Sequence, residues 1–137
     1  MTASKAKGSH GEREAALLFG EGSKRAPLSG ALGGMGDLVF PPGSIWRDWV
    51  VEVKRRKAIG GVAVKDALHQ AEASIGIGGK RRPMVLMRED HGPWYAFMYA
   101  EDIINWCKAL NEMGNTGKIK ALIRQMEALL RQMGEGL

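Results

Sequence analysis

Gly36-Asp37-Leu38-Val39 and Trp49-Val50-Val51-Glu52-Val53-Lys54 decide how this chain is read. Both are short apolar runs of the kind that form buried strands. An aspartate stands at the entry of the first. A glutamate and a lysine stand two apart near the end of the second. Strand side chains alternate faces, so Glu52 and Lys54 point one way while Val51 and Val53 point the other, toward a core. Two carboxylates and an ammonium at one strand end suit a hard divalent cation that activates a water. Such chemistry breaks phosphodiester bonds. Taken alone, Glu-x-Lys also describes a solvated cross-strand pair. The four consecutive cations Lys54-Arg55-Arg56-Lys57 favour the site reading, because they give the acids a reason to face phosphate.

The chain has 137 residues, 45% of them hydrophobic, which fits one domain spanning 1–137 with a sizeable core. Its net charge is +5 and its pI about 9.6. Residues 1–82 carry fourteen Lys and Arg against eight Asp and Glu, whereas residues 83–137 carry six against seven. A basic first part and a near-neutral remainder point to a polyanion-binding face, against a merely solubilising surface. Cys107 is the sole cysteine, so no intrachain disulfide forms, and its apolar helical neighbours predict burial rather than catalysis. His10, His69 and His91 lack metal-ligand spacing. Gly76-x-Gly78-Gly79-Lys80 lacks the spacing of a phosphate loop and reads as a basic loop. No run resembles a signal peptide or approaches the roughly 20 apolar residues of a membrane span. The expectation is a cytoplasmic protein that does not enter membranes.

Along the chain, residues 1–8 read as a flexible basic arm. Ser9 is placed to cap a first helix through Phe19, with Glu12 completing a capping box, which is the structural reading of that glutamate. Residues 20–36 form a Gly-, Ser- and Pro-rich loop. Strands are predicted at 37–40 and 45–54, a helix at 64–74, and a hairpin of strands 83–88 and 94–99. Two helices follow, at 100–113 and 118–133, separated by the break Gly114-Asn115-Thr116-Gly117. Ile119, Leu122, Ile123, Met126, Leu129, Leu130 and Met133 lay an apolar stripe along the last helix. This order predicts an α/β fold, a mixed central sheet flanked by helices, with a helical extension at 100–137.

Four pieces in order resemble the PD-(D/E)xK nuclease superfamily and, within it, the archaeal- and phage-type Holliday-junction resolvases. They are Lys7-Gly8-Ser9-His10-Gly11-Glu12-Arg13-Glu14, the basic loop Lys24-Arg25-Ala26-Pro27-Leu28-Ser29-Gly30, Gly36-Asp37-Leu38-Val39, and Glu52-Val53-Lys54. The likeness covers about residues 5–100. It implies a restriction-endonuclease-like fold and a catalytic set of Glu12, Asp37, Glu52 and Lys54, with Ser29 added from the loop. Asp37 and Glu52 would hold Mg²⁺ (Mn²⁺ substituting), with the Val53 carbonyl as a further ligand and Glu12 completing the site directly or through water. Lys54 would orient the attacking water or stabilise charge on the phosphate. Gln70 matches the helix glutamine of some superfamily members or is a solvated helix residue. His10 is placed to touch a phosphate.

The expected function is therefore a magnesium-dependent hydrolase of DNA recombination and repair, resolving four-way junctions by paired symmetric nicks. Phosphate contacts would come from Lys5, Lys7, Lys24, Arg25, Arg55, Arg56, Lys57, Lys80, Arg81 and Arg82, which loops could bring to one face. Branched DNA is the expected partner. A four-way junction has near two-fold symmetry, so a homodimer would supply the two active sites. Two alternatives remain. One is a restriction- or repair-type nuclease on duplex or flap DNA. The other is a non-catalytic DNA-binding module of the same fold.

Overall fold

The computed structural model describes residues 3–27 and 36–135, with the backbone alone for residues 3–7. The chain divides into two units, Met1–Tyr99 and Ala100–Leu137. The first holds, in order, α1 (Ala3–Leu18), β1 (Lys24–Arg25), β2 (Leu38–Val39), a 3₁₀ turn (Ile45–Asp48), β3 (Trp49–Arg56), α2 (Gly61–Ile75), β4 (Arg82–Glu89) and β5 (Tyr95–Phe97). The second is one helix, α3 (Ala100–Glu135). The α/β class and the mixed sheet follow the sequence reading.

The sheet is ordered β3-β4-β5. β3 and β4 are parallel, with Trp49 opposite Arg82 and Arg56 opposite Glu89, and α2 crosses between them. β4 and β5 are antiparallel, with Leu86 opposite Ala96. β1 and β2 form a separate antiparallel pair. Both faces of the sheet are covered. On one, Val85 and Met87 pack with Ala67 and Leu68 of α2. On the other, Gly11 of α1 lies against the Arg55 side chain, where a Cβ would come within 2.9 Å of Arg55 Cδ. Burial on both faces explains why β3 reads as an almost unbroken apolar run.

Several boundaries differ from the sequence reading. α1 begins at Ala3, so residues 3–8 of the expected arm are helical, and Ser9 lies buried inside the helix rather than at its cap. The capping-box role for Glu12 is thereby removed. Residues 45–48 turn instead of extending, because the Ser44 hydroxyl accepts the Trp46 N–H at 3.2 Å. β3 consequently starts at Trp49 and runs through Arg56, so three of the four cations, Lys54, Arg55 and Arg56, lie in the strand. Lys24 and Arg25, expected in a loop, form β1. The two C-terminal helices are one. Gly114 and Gly117 each weaken a helix by about 1 kcal/mol, but neither removes a hydrogen-bond donor as proline would. Cys107, expected to be buried, is exposed, and Trp106 is the buried residue of α3. No described helix is long and apolar enough to cross a membrane.

Candidate active site

Asp37 is placed by an interrupted ladder. Gly36 forms a parallel bridge with Val51 at a φ of 69°. A Cβ there would sit 2.8 Å from the Val51 carbonyl oxygen and 2.9 Å from Val50 Cγ1, so only glycine allows this approach. The Asp37 N–H then donates to the Val51 carbonyl at 2.8 Å. A regular parallel ladder would return the Asp37 carbonyl to the Val53 N–H. Here that carbonyl accepts the Ala26 N–H at 2.8 Å instead. The Asp37 carboxylate takes its place, with Oδ2 accepting the Val53 N–H at 2.7 Å. A side chain thus completes the ladder, which fixes the carboxylate beside β3 and next to Glu52.

Glu52 is 4% exposed. In register with Val85, it points to the α2 side of the sheet together with Lys54, whose partner is Met87. Lys54 Nζ lies 3.7 Å from Glu52 Oε2, an ion pair too long for a hydrogen bond. That oxygen is buried without a hydrogen-bond partner among the described residues. Burial, followed by the charge and contact of Asp37, pushes the Glu52 carboxyl up to about 8, and Lys54 pulls it only partly back. Two buried carboxylates in mutual repulsion, one with an unsatisfied oxygen, are a poor arrangement by themselves. They fit a hard divalent cation, which takes oxygen ligands and cancels the repulsion.

Glu12, also buried, projects from α1, the helix on the opposite face of the sheet from Glu52 and Lys54. Its carboxylate is ion-paired with Arg25 Nε on β1. The structure therefore ties Glu12 to Arg25. Among the described residues no three His, Cys, Asp or Glu side chains form a metal-holding group. Ser29 lies outside the described residues, as do the side chains of Lys5 and Lys7. His10 pairs with Glu14 at 2.8 Å, and Glu14 in turn holds Arg88 at 2.7 Å.

Lys54 opens into a groove shared with Arg56, Val62, Ala63, Asp66, Ala67 and Gln70. Gln70 is exposed on that groove and Asp66 stands one turn before it on α2. Asp66 escaped the sequence reading. Its i, i+4 spacing to Gln70, on the flank of the buried Ala67, was the available signal.

The expected phosphate contacts do not gather at one edge. Arg81 and Arg82 lie at the start of β4, beside the first residue of β3, whereas Arg56 and Lys57 lie at the far end. Eight strand residues separate them by roughly 23 Å. Arg55 is occupied by Asp90 at 3.3 Å and Arg25 by Glu12. Lys24, Arg56, Lys57, Lys80 and Arg81 are exposed. Arg47 and Arg81 together line a second small pocket with Leu38, Val39, Phe40 and Trp49.

A family model described as a phage putative PDDEXK endonuclease matches residues 3–135. No curated protein and no solved structure matches the chain.

Proposed function

The chain belongs to the phage putative PDDEXK endonuclease family, and from that premise we propose that it is a divalent-metal-dependent DNA endonuclease that resolves four-way junctions as a homodimer. One observation carries the catalytic half. Asp37 and Glu52 are held together, buried, beside Lys54, with a Glu52 oxygen that faces the Lys54 ammonium at 3.7 Å but accepts no hydrogen bond among the described residues. The junction and the homodimer rest on the ordered likeness to resolvases and on the symmetry of the substrate.

Asp37 and Glu52 would hold Mg²⁺ or Mn²⁺, together with the Val53 carbonyl. Bound there, the cation supplies Lewis-acid polarisation and lowers the pKa of a water. The protein's own groups do the rest. The Val53 N–H orients the Asp37 carboxylate, and the Asp37 N–H bond to the Val51 carbonyl fixes its main chain beside β3. Lys54 is anchored by Glu52 and presents its ammonium to the groove, where it meets the charge developing on a phosphate. Arg25 is ion-paired with Glu12, so that Glu12 acts by tying β1 to α1. Exposed cations at both ends of β3 support contact with DNA phosphates on either side of the scissile bond. The phage family fits work in a host cytoplasm.

The test is cleavage of synthetic four-way, flap and linear substrates by purified protein with Mg²⁺. Symmetric nicks in the junction, with linear duplex spared, are expected. Equal degradation of linear duplex would refute junction selectivity. Asp37→Ala and Glu52→Ala should each abolish cutting while leaving junction binding largely intact.

A further inference from the structure

We propose that residues 119–133 of α3 are the surface through which two copies of this chain associate, by helix-to-helix packing. The inference deepens the homodimer reading by giving it a surface. α3 runs for 36 residues, about 54 Å, without interruption. A solitary helix gains most of its stability from packing an amphipathic face. Yet Ile119, Leu122, Ile123, Met126, Leu129, Leu130 and Met133 are each 49–68% exposed.

Their arrangement favours self-association. Ile119, Leu122, Met126, Leu129 and Met133 repeat at alternating spacings of three and four, the seam of a coiled coil, and Ile123 and Leu130 widen it. At 100° per residue the seven occupy an arc of about 120°. Outside that arc, Lys120, Arg124, Glu127, Arg131 and Glu135 lie on the side next to Ile123 and Leu130, and Gln125, Gln132, Ala121 and Ala128 on the side next to Leu122 and Leu129. Glu127-Arg131 and Arg131-Glu135 are spaced for pairing along the charged side. The stripe itself holds no charge, and its flank beside Leu122 and Leu129 is neutral, so no like charges meet in the seam of two copies. At on the order of 100 Å² per side chain, the stripe amounts to roughly 700 Å², above the ~300–600 Å² of the largest patch on an ordinary monomer and near the ~800 Å² each partner buries in a standard interface.

The test is the mass of the full chain by sedimentation equilibrium at micromolar concentration. Twice 14.9 kDa is expected. Leu122→Glu with Leu129→Glu should weaken association by about a hundredfold or more, since charges would enter the seam. Lys120→Glu with Arg124→Glu, outside the stripe, should leave it unchanged. A monomeric wild-type chain overturns both this inference and the homodimer. A dimer that persists in the Leu122→Glu/Leu129→Glu variant overturns the α3 surface alone. Catalysis is separable. The monomeric variant should still nick a junction on one strand while losing paired cuts, whereas Glu52→Ala loses both kinds of cut and stays dimeric.

Discussion

Gly36 and Glu52 show how much rests on single residues. Gly36→Ala would place a methyl against the β3 backbone at a φ that costs a non-glycine residue roughly 1–2 kcal/mol before the clash is counted. It should lower the melting temperature and pull Asp37 off the Val53 N–H. Activity should therefore fall by more than the stability loss explains, as a comparison of cutting rates well below the melting temperature will reveal. Glu52 makes stability depend on pH. Its carboxyl lies at 4.5 when unfolded and about 8 when folded, so between those values the folded chain holds a proton that the unfolded chain has lost. Metal-free stability should accordingly decline as pH rises from about 4.5 through 8. Glu52→Gln should flatten that decline, and Mg²⁺ should stabilise the wild type most above neutrality. Thermal melts across pH, with and without EDTA, measure this; a metal-free wild type that gains stability over that range would contradict it. The positions of Asp37, Glu52 and Lys54 were legible because strand periodicity assigns faces. The substitution of the Asp37 carboxylate for a ladder carbonyl was not, since it depends on where β1 draws the main chain. Nor was the Glu12–Arg25 pair, whose partners are separated by a loop without periodic signal.

Among the elements, β3, β4 and α2 were legible because burial leaves an apolar record, whereas the short, polar β1 left none. Terminal turns were not. Ser9 looks like a cap because its sequence neighbourhood is right, yet α1 already extends six residues before it. The glycines of α3 look like a break, yet Gly114 and Gly117 lie inside one helix without the positive φ of a turn. That difference has a measurable consequence. Gly114→Ala and Gly117→Ala should each stabilise α3 by about 0.5–1 kcal/mol, read as increased helical circular dichroism and a higher melting temperature. Were the two glycines a left-handed turn, alanine would destabilise instead.

Across the whole molecule, the family match extends from residue 3 to 135 and so takes in α3, which the motif likeness had left outside. The sequence also grouped the cations by proximity along the chain, whereas the parallel pairing of β3 and β4 sends Arg56 and Arg81 to opposite ends of the sheet. Strand direction was the missing knowledge. It leaves exposed cations at both ends of β3, on either side of the acidic pair. The claim that matters most is that this pair is a metal-dependent hydrolytic centre. The rate of phosphodiester cleavage by wild type and Glu52→Gln, with Mg²⁺ and with EDTA, at equal occupancy of a four-way junction, tests it most directly. The wild type should cut only with the cation, and Glu52→Gln should be slower by on the order of 10³-fold while still binding DNA. Cutting by Glu52→Gln at the wild-type rate, or by the wild type in EDTA, would contradict it.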